Sequence, residues 1–278
     1  MSDIDRYALL GNPVRHSKSP WIHAEFARQC EQALQYRAVM VEPAGFADAV
    51  AGFFAGGGKG LNVTLPFKQD AYELADSLSE RARRARAVNT LRQDAEGKIL
   101  GDNTDGIGLL RDMIANLGWS VRERKVLLLG AGGAARGVLE LLLREQPEQL
   151  VVVNRTPERA QQLANEFSDL GAISGAGFDS LSGQQFDLII NATSAGLAGE
   201  LLPLPDDLLN ERSCCYDMMY GSEPTPFMRW AALHTAWAVA DGLGMLVEQA
   251  AESFYLWRGL RPQTGPVLAE LRLALTGD

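Results

Sequence analysis

The sequence predicts an α/β protein of two domains, and three observations predict it. An apolar run at residues 126–129 passes into Gly130-Ala131-Gly132-Gly133-Ala134-Ala135 and then into a helical pattern, which reads as strand, tight turn, helix. A second apolar run, Gln149-Leu150-Val151-Val152-Val153, completes a βαβ unit. The chain has 278 residues, more than one hydrophobic core usually organises, so two domains are expected.

Composition sets the class. With 46% hydrophobic and 22% charged residues and no apolar run long enough for a bilayer, the chain is that of a water-soluble globular protein. Its net charge of −9 excludes a nucleic-acid footprint and fits an enzyme acting on a small molecule. The first residues, Met1-Ser2-Asp3-Ile4-Asp5-Arg6, carry acids where a signal peptide needs a positive and then an apolar region, so the expected location is cytoplasmic. Cys30, Cys214 and Cys215 make neither a metal-ligand spacing nor a disulfide framework, so they are expected reduced and mostly buried, with no metal site.

In chain order, residues 6–10 form the first strand and run into Gly11-Asn12-Pro13-Val14-Arg15-His16-Ser17-Lys18-Ser19-Pro20. Two hydroxyls before a helix-opening proline suit an anion-binding corner, although composition alone favours a helix start capped by Ser19. A helix from Trp21, a strand over 36–41 and a helix over 45–54 continue a β-α-β-α pattern. The glycines at 56–60 fail as a phosphate loop, because Gly60 replaces the required Ser or Thr and Phe53 the leading glycine. A short strand, Leu61-Asn62-Val63-Thr64-Leu65, stops at Pro66, and Lys68 falls in the first turn of the next helix, where the dipole disfavours a cation. That position calls for a function. The basic run at 80–86 reads as a solvated helix face near a cofactor cleft. A hairpin over 88–92 and 98–101 delivers Gly101-Asp102-Asn103-Thr104-Asp105-Gly106 to the domain junction.

The glycine cluster has the G-x-G-x-x-G/A spacing of a dinucleotide-binding turn. Gly130 bends the chain, Gly132 lets a pyrophosphate approach the backbone, and Ala135 takes the close-packing third position. The following helix aims free N–H groups at phosphate. An enzyme that uses NAD places a carboxylate at the end of the second strand; here Asn154 stands there, followed by Arg155 and Arg159. Guanidiniums bind a 2′-phosphate that a carboxylate would repel, so the pattern selects NADP. Further strands at 186–190, 214–220 and 238–242 surround Asn191-Ala192-Thr193-Ser194 and a helix over 226–234. A long helix opens at Leu243, with Leu243, Leu246, Val247, Ala250, Phe254 and Trp257 as its core stripe and Met245 and Gln249 on another face. Gln249 suits either a ligand contact or an exposed surface position.

The ordered set GNPVRHSKSP, NVTLPFK, AVNT, GDNTDG, GAGGAARG, NRTPER, NATSAG, YDMMY and GLGMLVEQAA resembles the shikimate dehydrogenase family over nearly the whole chain. The resemblance implies a discontinuous substrate-binding domain, residues 1–105 and 243–278, beside a Rossmann-like NADP-binding domain, residues 106–242. It implies reduction of 3-dehydroshikimate to shikimate with NADPH, on the route to chorismate and the aromatic amino acids. Ser17 and Ser19, with Tyr220, would hold the substrate carboxylate, and Asn62, Thr64, Asn89, Asp105 and Gln249 the ring hydroxyls. Lys68 and Asp105 would be the catalytic pair. On the cofactor side the resemblance implies Gly130, Ala131, Gly132, Gly133 and Ala134 at the pyrophosphate, and Asn154, Arg155, Thr156 and Arg159 at the 2′-phosphate. Thr193, Met218, Gly242 and Met245 would line the nicotinamide end, and Glu80 joins the cofactor set.

Two positions depart from the family pattern. Arg86 stands where a glycine is common, and Leu197 where methionine is usual.

Chemistry supports the lysine. A carbonyl oxygen that gains a hydride must gain a proton, and the reverse reaction must return it, so one group serves both directions. His16 lies in the serine segment, and His23 and His234 fall in predicted helices without an obvious polar neighbour, which leaves Lys68, and a fold that brings its segment and GDNTD to one cleft would pair it with Asp105. Two rivals remain. One is a quinate/shikimate dehydrogenase using NAD, which should show an acid at the Asn154–Arg155 corner; the other is a non-catalytic metabolite-sensing module on the same fold, free to lose Lys68 or Asp105. The expected assembly is a monomer or homodimer.

Overall fold

The computed structural model describes residues 4–195 and 200–277. The chain divides into two compact units, Met1–Gly108 with Val247–Leu268 and Leu109–Leu246 with Ala269–Asp278.

The first unit contains β1 (Asp5–Gly11), α1 (Ser19–Gln29), β2 (Leu34–Met40), α2 (Phe46–Ala55), β3 (Gly60–Val63), α3 (Lys68–Leu74), β4 (Ser77–Leu78), α4 (Glu80–Ala85), β5 (Thr90–Gln93), β6 (Ile99–Asp102) and the start of α5 (Asp105–Arg111). Its sheet runs β2-β1-β3-β5-β6-β4. β1 is apolar at successive positions because both faces are covered: Ala8 and Leu10 pack with Val50, Leu61, Phe67 and Leu91, while Tyr7 and Leu9 pack on the other side with Tyr36 and Trp257. β1 and β3 are parallel, whereas β5 is antiparallel to both β3 and β6. This reversal sets the beginning of β5 against the ends of β3 and β6, so Asn62, Asn89 and the 102–105 segment meet at one sheet edge. The N–H of Val63 donates to the Asn89 carbonyl at 2.8 Å and that of Asn89 to the Asp102 carbonyl at 3.0 Å.

In the second unit α5 passes into a π-helical turn, Asp112–Asn116. There follow β7 (Lys125–Leu129), α6 (Gly133–Arg144), β8 (Gln149–Val153), α7 (Pro157–Phe167), β9 (Ile173–Ala176), β10 (Phe186–Asn191), β11 (Leu209–Asp217), α8 (Pro226–Leu233) and β12 (Ala238–Asp241). All five strand pairings are parallel, in the order β12-β11-β10-β7-β8-β9. This is the doubly wound arrangement, whose order reverses between β7 and β10. Val126 and Leu128 face one core and Leu127 and Leu129 the other, which is why this strand is a continuous apolar run.

Two helices end the chain, α9 (Leu243–Arg258) and α10 (Thr264–Thr276). The unit boundary falls inside α9 and again inside α10, so the division differs from the sequence-based one, which ran the first domain through residue 278. Arg272 of α10 forms a two-pronged ion pair with the buried Asp241 at the end of β12, which holds the last residues on the second unit. Three elements were not foreseen, β4, β9 and α10. β4 has two residues, and β9, Ile-Ser-Gly-Ala, has no apolar alternation to detect. The cysteines are free, with Cys215 buried but Cys30 and Cys214 only half-buried.

Candidate active site

In the first unit, Lys68 is the first residue of α3 and Asp105 the first of α5. Lys68 Nζ donates to Asp105 Oδ2 at 2.5 Å, with side-chain exposures of 26% and 10%. The other carboxylate oxygen accepts from Asn89 Nδ2 at 2.8 Å. Asn89 is fixed in turn, because its Oδ1 accepts from the Thr104 N–H and the Thr90 hydroxyl, each at 2.9 Å. The amides of Asn89 and the Thr104 hydroxyl both reach Gln249 Oε1 at 3.4 Å. The glutamine is half-buried, so the exposed alternative for it is removed.

Asn62 lies one layer below. Its Oδ1 accepts from Tyr36 Oη at 2.8 Å, and its Nδ2 faces the Asn89 carbonyl, Thr90 Oγ1 and Ser253 Oγ at 3.0–3.1 Å. Tyr36 is buried, which pushes its phenol far above its ordinary pKa, with a hydrogen bond to Ser19 opposing; it therefore stays a neutral donor. Ser19 is 7% exposed and does not cap α1. Ser17 Oγ accepts the Ser19 N–H at 3.2 Å, and Lys18 holds the cap position without a side-chain bond. The corner at 17–19 is thus joined through Tyr36 to Asn62 and the Lys68–Asp105 pair. Thr64 follows β3 at the same edge, its N–H donating to the Leu10 carbonyl at 2.9 Å. A Cβ on Gly11 would meet the Thr64 methyl at 2.3 Å, so only glycine lets these two strand ends approach. Sequence reading missed Tyr36, Thr90, Thr104 and Ser253. Thr104 lies inside GDNTDG and Ser253 one helical turn after Gln249, which were usable signals; Tyr36 offered none.

His23 is not a proton carrier. It is 1% exposed and stacks on Tyr36 at 4.2 Å, its Nε2 is left unsatisfied among the described residues, and burial, opposed in part by Asn62, pushes its pKa down to about 3. His234 corrects the expectation of no polar neighbour, since it ends α8 with the Trp230 carbonyl at 2.8 Å and Asp206 at 2.9 Å. These partners raise its pKa, the Trp230 carbonyl most.

In the second unit Gly130 adopts φ +104°, in the left-handed region that favours glycine, and its N–H donates to the Val153 carbonyl at the end of the neighbouring β8 at 2.7 Å. Gly132 caps α6, and a Cβ on Gly132 or Gly133 would meet nothing within 4 Å, so the backbone at this helix start faces open space. Ala131 is half-buried, Gly132, Gly133 and Ala134 are exposed, and Ala135 is fully buried in the core. Asn154 Nδ2 donates to the Thr156 carbonyl at 3.0 Å, folding the chain over the start of α7. Arg155 is 83% exposed, with a loose 3.4 Å contact to Glu200, and Arg159 is exposed with no carboxylate partner among the described residues. Two guanidiniums are therefore available to an anion.

At the ends of β10 and β11, Asn191 Oδ1 accepts from the Thr193 N–H at 3.1 Å and hydroxyl at 2.7 Å. Asp217, fully buried, accepts from Asn191, Thr225 and the Met219 N–H. Burial raises its pKa, and those donors oppose the shift. The pair orients Thr193 and Met218. A Cβ on Gly242 would meet the Met218 carbonyl oxygen at 2.2 Å, so β11 and β12 end in close backbone contact. Met245 is 8% exposed and packs in the core of this unit. Tyr220 is half-buried, its phenol raised by burial and by Asp241. Glu80 opens α4 in the first unit, on the surface. Arg86 ends α4 at φ +48°, a left-handed position that explains the family's preference for glycine there. Leu197 lies outside the described residues.

A doubly wound sheet with this turn, joined in one chain to a unit bearing a paired lysine and carboxylate, defines the class of dinucleotide-dependent oxidoreductases. Family models match in three segments: the shikimate dehydrogenase substrate binding domain over residues 9–91, shikimate / quinate 5-dehydrogenase over 113–198, and the shikimate 5′-dehydrogenase C-terminal domain over 242–272. The shikimate dehydrogenase (NADP(+)) of Alkalilimnicola ehrlichii is 58% identical, covering 96% of this chain and 98% of its own. Among solved structures, an Ael1 enzyme from Pseudomonas putida superposes with TM-score 0.90 at 48% identity, covering 96% of this chain and 98% of its own. The Thermus thermophilus shikimate 5-dehydrogenase in complex with NADP(H) and shikimate gives TM-score 0.85 at 35% identity, over 98% and 100%. The chain belongs to the shikimate dehydrogenase family.

Proposed function

We propose that this protein catalyses the reversible, NADP(H)-dependent interconversion of 3-dehydroshikimate and shikimate in aromatic biosynthesis, and that it does so in the cytoplasm. The observation that carries the chemistry is the Lys68–Asp105 pair at 2.5 Å, held in a polar network that ends at Gln249 and Asn89. When bound, NADPH supplies the hydride. Gly130 to Ala134 and the start of α6 would hold its pyrophosphate, Arg155, Arg159, Asn154 and Thr156 its 2′-phosphate, and Thr193, Met218, Gly242 and Met245 its nicotinamide end. The open backbone at Gly132 and the available guanidiniums fit that role.

On the substrate side, Ser17, Ser19 and Tyr220 bind the carboxylate, while Asn62, Thr64, Asn89 and Gln249 orient the ring hydroxyls. Lys68 delivers a proton to the ring oxygen during reduction and recovers it during oxidation, and Asp105 keeps the ammonium aimed at that oxygen. The exposed arginine corner, with no acid at Asn154, supports NADP over NAD. The presence of both members of the pair supports an enzyme over a sensing module. No helix among the described residues is long and apolar enough to cross a membrane.

The test is formation of reduced cofactor with shikimate or quinate, each with NADP or NAD. Turnover with shikimate and NADP at least tenfold above the other three combinations is the expected result. A preference for quinate or for NAD would replace this reading with the quinate/shikimate one, and no turnover with any pair would leave the sensing module.

A further inference from the structure

Arg81 belongs to the basic run at 80–86 that the sequence presents as a solvated helix face. Its side chain is only 21% exposed. Nε donates to Asp102 Oδ1 at 2.7 Å and Nη2 to Asp102 Oδ2 at 2.9 Å, the two-pronged geometry that fixes a carboxylate in direction as well as distance. The same Nη2 reaches Glu252 Oε1 at 3.3 Å.

Both partners carry site residues. Asp102 Oδ1 also accepts the Ser79 hydroxyl at 2.5 Å and the Asn103 N–H at 2.7 Å. Asn103, 1% exposed, donates to the Ala87 carbonyl at 3.0 Å and accepts the N–H of Asp105 at 3.1 Å. An unbroken chain of hydrogen bonds thus runs from the Arg81 guanidinium to the backbone of Asp105. On the other side, Glu252 follows Gln249 by three residues on α9, one turn along the same face, and its second oxygen takes Arg261 at 2.8 Å.

We propose that Arg81 is a positioning residue of the active site: by gripping Asp102 and Glu252 together it sets the placement of Asp105 and Gln249, and through Asp105 that of Lys68. The proposal rests on the reading of Lys68 and Asp105 as the proton-transfer pair. A merely structural ion pair would stabilise the unit without touching the chemistry, and the same unit supplies a control. Arg258, whose side chain is 18% exposed, pairs with Asp5 and bonds Gln32 and Tyr7, tying the far end of α9 to β1 and to the connection between α1 and β2.

The experiment compares Arg81→Met, Arg258→Met and Lys68→Ala with the wild type, for shikimate oxidation at a temperature where each is folded by circular dichroism. Arg81→Met is expected to lower kcat about 10- to 100-fold, the scale of a misplacement near 1 Å, and to displace the pH profile of kcat, with KM for shikimate changed less than about fivefold. Arg258→Met is expected to lower the melting temperature while kcat and its pH profile stay at wild type. If Arg81→Met fails to fold, Arg81→Lys makes the same comparison, because an ammonium keeps an ion pair but loses the fork. Should the Arg81 variant match Arg258→Met in kcat and pH profile while Lys68→Ala is impaired, the positioning role is overturned and the catalytic pair stands. If Lys68→Ala itself keeps wild-type kcat, the reading of the pair fails and the positioning role fails with it.

Discussion

Lys68 sits where the α3 dipole disfavours a cation, and the 2.5 Å contact with Asp105 compensates locally. A group that exchanges a proton only as the bond to hydrogen forms contributes to the transition state rather than to substrate binding. Lys68→Ala should therefore lower kcat by ~10²–10⁴-fold, with KM for shikimate changing only several-fold, as measured by steady-state kinetics. An unchanged kcat with a raised KM would make Lys68 a binding residue. Arg155 acts on the other half of the reaction. Its guanidinium is 83% exposed, so its value to the folded chain is small, while a charge-assisted bond to a 2′-phosphate is worth ~1.5–3 kcal/mol. Arg155→Ala is expected to weaken NADP binding about 10- to 100-fold in a fluorescence titration and to leave NAD nearly unaffected. Equal losses for both cofactors would contradict a 2′-phosphate contact.

Strand, turn and helix are the unit of the cofactor site, and two glycines show different demands on it. Gly132 has φ −90° and open space where a Cβ would be, so Gly132→Ala should keep stability within about 0.5 kcal/mol. The added methyl lies where phosphate must approach the backbone, and affinity for NADP should fall on the order of tenfold or more. Gly242 is the reverse case, its Cβ meeting the Met218 carbonyl oxygen at 2.2 Å, so Gly242→Ala should cost about 1–3 kcal/mol of stability in thermal unfolding. A stable Gly242→Ala alongside an unfolded Gly132→Ala would invert this account. The helix α4 shows how an element misleads when judged by composition: its basic residues suggested solvent, yet Arg81 is drawn inward by Asp102 and Glu252.

At the scale of the whole molecule, His23 links pH to stability. Its pKa falls from 6.5 when unfolded to about 3 when buried, so between these values the unfolded chain binds a proton that the native one does not. The stability associated with the neutral ring is complete above pH 6.5 and is lost as pH falls toward 3, at about 1.4 kcal/mol per unit. His23→Leu should therefore show a shallower loss of stability between pH 6 and pH 4 in urea unfolding, and an identical slope would mean that the histidine titrates freely. The sequence by itself determined the α/β class, the dinucleotide turn, the arginine corner and the order of the motifs, because strand periodicity, glycine spacing and missing carboxylates are local in the chain. The pairing of Lys68 with Asp105 across 37 positions was implied by the family resemblance and carried by no local pattern, while tertiary structure alone decided that Tyr36 supports Asn62, that Arg81 turns inward, and that the last residues pack on the second unit. Each of these depends on which strand ends are neighbours: the β5–β6 hairpin is legible from its turn residues, but the antiparallel seating of β5 against β3 is a choice made by packing over long range, with no local pattern to announce it.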